Sequence, residues 1–240
     1  MKKKILSLAL VVALIAIIVG GSLAYFTDRD QVTNTFTIGS VRIEIFENDE
    51  ATDDDTIAFG PLTPVVNVDN PSEDVSYIDK VVEVKNTGNN DAYVRVHIAI
   101  PTKLSGFLNM ELNLADEGWT CYEISTAVVD GVEYDVYTYD YMGAVEPGEF
   151  TDELLKGVYL ASDVDLMEDE DTGNLVFVRR GDGYEFSEGF VAHTKNEDGS
   201  YTSANINILV AAQAIQADGF NNGATDALNA GFATHPWPVA

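Results

Sequence analysis

The chain has 240 residues, with 40 acidic against 13 basic side chains and a formal charge of −27. That balance opposes binding to nucleic acid or to anionic lipid and keeps copies of the chain apart in solution. An apolar content of 46% excludes a disordered polymer, and a single cysteine, Cys121, excludes an intrachain disulfide.

The first element is an export signal. Met1-Lys2-Lys3-Lys4 is a basic head, Ile5 to Val19 is apolar except for Ser7, and Gly20-Gly21-Ser22-Leu23-Ala24 follows. Small residues at Ser22 and Ala24 predict cleavage between Ala24 and Tyr25. The rival is an uncleaved anchor, because Ile5 to Phe26 is just long enough to span a bilayer. Cleavage would remove three lysines and no acids, taking the formal charge from −27 to −30. The chain would then touch the membrane only before cleavage.

Residues 25–40 form an extended, mostly polar segment with the apolar residues Phe26, Val32, Phe36 and Ile38 spaced along it. Val41-Arg-Ile-Glu-Ile-Phe46 then alternates, with Val41, Ile43 and Ile45 on one side, as a half-buried strand does. Gly20-Gly-Ser-Leu-Ala-Tyr-Phe-Thr-Asp28, followed by Asn34-Thr-Phe-Thr-Ile-Gly-Ser-Val-Arg-Ile-Glu-Ile45, resembles the TasA/camelysin family of Gram-positive surface proteins. The resemblance is close over residues 18–46 and recurs more weakly over 81–100 and 204–220. It implies export through a dedicated SipW-like signal peptidase, a secreted jelly-roll β-sandwich and, for the best-known members, fibres in the extracellular matrix. Camelysins have been assigned proteolytic activity, so the same resemblance implies a metallopeptidase as an alternative.

Asn48 to Thr56 carries Asp49, Glu50, Asp53, Asp54 and Asp55. The segment is expected as a solvated acidic loop. The sharper reading is a calcium site, but the spacing of an EF-hand is absent. Pro61, Pro64 and Pro71 punctuate the next connection, in which Val65–Val68 could pair briefly. Tyr77 to Lys85 is expected as a strand, Asn86–Asp91 as a turn, and Ala92 to Ile100 as the strongest strand. In the last, Val94, Val96, Ile98 and Ile100 face one way, and Tyr93, Arg95 and His97 the other. Leu104 to Leu114 is ambiguous between a short helix and an irregular edge.

Thr120–Val129 and Val132–Tyr139 flank Asp130-Gly131, a strong hairpin signal because both central residues need positive φ. Helix and strand both remain open for Phe150 to Leu160. Residues 163–203 look like an insertion bearing hairpins around Gly181-Asp-Gly183 and Asn196-Glu-Asp-Gly199. Ala204 to Gln213 is the last strand, with Ile206, Ile208 and Val210 inward, and Gly223 to Ala233 a short helix. The tail to Ala240 has neither an apolar anchor nor a sortase-type motif.

The chemistry is sparse. His97, His193 and His235 form no His-Glu-x-x-His motif, so no zinc peptidase signature is present. No Gly-x-Ser-x-Gly elbow or phosphate loop occurs, and no cofactor or metal ligand set is assigned. Cys121 is expected as a small buried hydrophobe. Arg180-Gly181-Asp182 spells an adhesion tripeptide, but so short a match is cheap, and the preferred reading is a turn selected for its backbone angles. Tyr134, Tyr137, Tyr139 and Tyr141 form an aromatic stripe that is expected on one sheet face rather than as a ligand platform.

The expectation is an all-β, jelly-roll-like β-sandwich over residues 41–240, with an insertion at about 163–203 and a short C-terminal helix, preceded by a signal peptide at 1–24. The expected function is that of a secreted, non-enzymatic filament subunit. Residues 25–40 would add as a donor strand to a neighbour, with Phe26, Val32, Phe36 and Ile38 at the interface. Its partners would be further copies of itself, the signal peptidase and other matrix proteins. A monomeric surface adhesin is a further alternative.

Overall fold

The structure is a computed structural model. It describes residues 27–30, 41–47, 50–51, 56–58, 64, 69–74, 76–114, 118–180, 185–204, 206–220, 222–232 and 235–238. It is all-β, in three antiparallel sheets with one short C-terminal helix.

The first sheet runs in the order β1 (Thr27–Asp30), β15 (Asn207–Gln216), β6 (Ala92–Pro101), β9 (Val132–Tyr141), β8 (Trp119–Val129), and β4 (Thr56–Ala58) also pairs with β15. The second runs β3 (Glu50–Ala51), β2 (Ile43–Glu47), β5 (Ile78–Asn86), β10 (Leu155–Leu160), β7 (Leu108–Leu112). Alternation along each strand builds the core between them. Val94, Val96, Ile98 and Ile100 of β6 and Ile208, Val210, Ala212 and Ala214 of β15 meet Ile43, Ile45, Val82, Val84, Leu155 and Val158 of the second sheet. Full burial of one large apolar side chain is worth about 1.5–3 kcal/mol, so this layer dominates the stability of the fold.

Local chemistry sets the hairpins. Asp130 (φ 51°) and Gly131 (φ 81°) both lie in the left-handed region, and Val129 pairs with Val132 across them. Asn86 is fully buried at the end of β5 and organises the turn into β6. Its amide donates to the carbonyls of Asn90 and Val145, both at 2.8 Å, and its Oδ1 accepts from the Gly88 N–H at 2.9 Å.

The third sheet is the insertion: β11 (Val164–Glu168), β12 (Leu175–Arg179), β13 (Glu185–Lys195) and β14 (Tyr201–Ser203), paired in sequence order. It packs Val164, Phe177 and Ala192 into the main core. Arg179 pins it further: its Nε donates to Asp163 at 2.7 Å and its Nη1 to the Gly106 carbonyl at 2.7 Å.

Two open stretches resolve and two expectations change. The ambiguous 104–114 stretch becomes a 3-10 turn at Thr102–Leu104 followed by β7, and 150–160 resolves to β10. Cys121 is exposed, not buried. It lies on β8, the outer strand of its sheet, where residues 120–124 are all exposed and the register shifts between Cys121 and Glu123. Finally, Thr27–Asp30 was expected in a segment outside the subunit's own sheets, but it pairs along β15 of the same chain. An extended segment with free backbone groups takes the nearest open sheet edge, and β15 offers one.

A third layer covers the outer face of the first sheet. Helix α1 (Ala224–Gly231) packs Ala224, Ala227 and Leu228, with Phe232, against Ile215 and Tyr93. The tail that follows packs Trp237 onto Ala99, Ala127, Tyr134, Val136, Leu209 and Ala211.

Candidate functional site

Reduced to its eight longer sandwich strands, the chain follows jelly-roll pairing in its middle: β15, β6 and β9 lie side by side in one sheet, and β5, β10 and β7 in the other. The outer positions differ. A jelly roll sets its first strand beside its last, which would place β2 next to β15. Here β2 pairs with β5 instead, and β8 stays with β9 through the Asp130-Gly131 hairpin.

The slot beside β15 is therefore covered piecewise. β4 takes the first part, pairing Ala58, Ile57 and Thr56 with Asn207, Ile208 and Leu209. β1 takes the last part, pairing Asp30, Arg29, Asp28 and Thr27 with Ala212, Gln213, Ala214 and Ile215. Val210 and Ala211 fall between the two patches. A ten-residue central strand, buried along nearly its whole length, has an outer edge held by one strand of three residues and one of four. At the far side of the same sheet, the outer edge of β8 pairs with no strand among the described residues. Among the described residues it gains one outside backbone bond, from the Val128 N–H to the Pro238 carbonyl at 3.1 Å.

Beneath the helix and tail lies a buried polar row. Arg95 donates from Nε and Nη2 to the two carboxylate oxygens of Asp140 at 2.6 and 3.0 Å, and from Nη2 to Asn229 of α1 at 2.8 Å. Tyr122 of β8 covers the guanidinium, 4.3 Å from its ring centroid. In the next row His97 contacts Thr138 through Nδ1 at 2.9 Å and Gln213 through Nε2 at 3.2 Å. His97 also meets the rings of His235 and Trp237, with centroids 6.3 and 6.2 Å away. The sequence placed Arg95 and His97 together on the second face of their strand. It carried no signal that residues more than a hundred positions away would bury them.

A hydroxyl beside an imidazole invites a catalytic reading. Thr138 and His97 are 3% and 1% exposed, which leaves no room for a substrate. A second such contact, Ser203 Oγ to His193 Nδ1 at 3.1 Å, joins β14 to β13 at the surface. No group of three or more His, Cys, Asp or Glu residues among those described could hold a metal ion. The three histidines do not converge, since His193 lies in the third sheet, apart from His97 and His235.

On the outer face of the second sheet, Tyr77 lies against Gly157 so closely that a Cβ at 157 would stand 2.2 Å from the ring. Burial, together with a hydrogen bond to the Glu111 carboxylate, raises the Tyr77 phenol well above its ordinary range. Tyr159 stacks beside it, centroids 6.0 Å apart. Tyr137, Tyr139 and Tyr141 pack toward the main core, but Tyr134 does not share their face: an even position on a strand of period two, it joins the cluster under Trp237.

Ala24, Tyr25, Phe26, Val32, Phe36 and Ile38 lie outside the described residues, as do Asp49, Asp53–Asp55, Val65–Val68, Gly181 and Asp182. No described helix is long and apolar enough to cross a membrane. The molecule belongs to the class of all-β sandwich proteins. No family model matches the chain, and no curated protein matches it.

Proposed function

We propose that this chain is a secreted structural protein of the TasA type, the subunit of an extracellular or cell-surface filament that grows by N-terminal strand addition. The observation that carries the reading is the β15 edge. Its final stretch is covered by four residues, Thr27–Asp30, from the start of the proposed mature chain. A strand held by so few backbone pairs can exchange for the same strand of a neighbour at little net cost, because both states make the same hydrogen bonds. Pairing in trans would extend along residues 25–40, where Phe26, Val32, Phe36 and Ile38 supply side chains for the neighbour's surface. Donor and acceptor are different surfaces, so the contact is heterologous and propagates as an open filament.

The resemblance over residues 18–46 supports export by a SipW-like peptidase with cleavage at Ala24–Tyr25, release outside a Gram-positive cell, and other matrix proteins as further partners. The role is structural and not enzymatic. Electron microscopy of the mature protein tests it. Filaments are expected from the chain beginning at Tyr25 and none from a chain beginning at Thr37. Filaments of equal length from both would overturn strand addition.

A further inference from the structure

We propose that β4 (Thr56–Ala58) is a removable stopper on the β15 edge, and that the lane it holds is the acceptor for residues 31–36 of a second copy of the chain. This rests on strand addition as proposed above. It fixes where the donated strand runs and what must leave first.

The registers of two short strands carry it. β1 and β4 lie end to end on one edge of β15 and run in the same direction, both antiparallel to it. Each step forward along β1 is one step back along β15, from Thr27 at Ile215 to Asp30 at Ala212. A donated strand keeping this register past Asp30 would set Gln31 at Ala211 and Val32 at Val210, the two positions that neither β1 nor β4 covers. It would next set Thr33 at Leu209, Asn34 at Ile208 and Thr35 at Asn207. Those are the positions that Thr56, Ile57 and Ala58 hold. Each residue on that edge has one set of backbone groups to pair, so the longer strand and β4 exclude each other.

The side chains of the donor suit that register. Directly opposite residues of an antiparallel pair share a face. Ile206, Ile208, Val210, Ala212 and Ala214 belong to the main core. The donated strand would bring Val32 to that face opposite Val210 and Phe36 opposite Ile206, with Thr33 and Thr35 on the other face. Asn34 is the one polar residue between them. Phe26 and Ile38 have the same parity as Val32 and Phe36, so the apolar residues of the segment all fall on one side. β4 offers only Thr-Ile-Ala in exchange. The longer strand also closes the gap at Val210 and Ala211. β4 therefore guards the lane while the subunit is alone and yields it to a donor.

Cross-linking between copies tests the register. Directly opposite residues stand about 4.5–5.5 Å apart at Cα, within reach of a disulfide. Asn207 is exposed, so a cysteine there spares the core. Mature protein with Cys121→Ser is made in two forms, one with Thr35→Cys and one with Asn207→Cys, and the two are mixed, assembled and oxidised. A disulfide-linked dimer of the two forms is expected from filaments and not from unassembled protein. In a third form, Ala58→Cys and Asn207→Cys in one chain tie β4 to β15. Oxidised, it should give no filaments, and reduction should restore them. Ile57→Gly weakens so short a strand and should speed growth roughly twofold to fivefold; if the tied form fails to fold, unchanged growth of Ile57→Gly overturns the proposal. Filaments without the mixed cross-link, or equal growth from tied and reduced protein, would overturn the displacement of β4 and leave strand addition standing. No filaments from the parent protein would overturn both.

Discussion

Arg95 and Asp140 face each other in register across β6 and β9, joined by two hydrogen bonds, with side chains 3% and 0% exposed. A buried pair of this kind is costly to break, because the surviving partner is left as an uncompensated charge in a dry site. Arg95→Met should lower unfolding stability by about 3–5 kcal/mol, and Arg95→Met with Asp140→Leu should recover most of that loss. Urea unfolding curves of the two variants against the parent check it.

Gly157 stands where a side chain would collide with Tyr77. Gly157→Ala should destabilise by about 1–3 kcal/mol through overpacking. Tyr77→Ser in the same chain removes the obstacle, so the penalty should shrink in a double-mutant cycle. Equal penalties with and without the tyrosine would place the glycine's role elsewhere.

A chain beginning at Thr37 lacks β1 and bares the last part of the β15 edge. The sandwich core draws on Val41 and later residues, so folding should persist. Losing backbone pairs at an edge costs about 1–2 kcal/mol, and a domain of this size melts roughly 2–4 °C lower per kcal/mol. Calorimetry should therefore show a small downward shift while microscopy shows no filaments.

Tyr139 and Tyr77 are held well above the ordinary phenol range, in both cases first by burial and then by neighbours: Cys121 for Tyr139, the Glu111 carboxylate for Tyr77. The folded state grips these protons more tightly than the unfolded chain does. Their contribution is therefore complete below the ordinary phenol pKa of about 10 and is lost as pH rises beyond it. Absorbance titration should show tyrosines that ionise only as the protein unfolds in alkali, and Tyr139→Phe should soften that alkaline loss.

Charge should gate assembly. At a formal charge of −27, or −30 once residues 1–24 are removed, subunits repel. Salt screens exposed charges beyond about 8–10 Å at 0.1–0.15 M. Light scattering should show faster growth as salt rises or pH falls toward the pI of 4.1. Growth unchanged by salt would mean that the contacts between subunits are not limited by charge.

The strands were legible because side chains alternate with a period of two, a local property. Val94 to Ile100 and Val41 to Ile45 announced both their conformation and their inward face. Asp130-Gly131 announced a hairpin because few other pairs accept two positive φ angles. The outline of the insertion followed from its Gly/Asp turns in the same way.

What covers each face and edge was not legible. Arg95 and His97 share the pattern of any solvent-facing pair, and the return of residues 224–232 and 235–237 over the sheet makes them buried. Cys121 has the composition of a core residue, yet it is exposed because β8 ends its sheet. Thr27–Asp30 looks like a lead-in until β2 turns away to β5 and leaves the β15 edge open beside it. Period and turn chemistry are written in neighbouring residues, whereas burial is decided by elements far apart in the chain, so it emerges only from the tertiary structure.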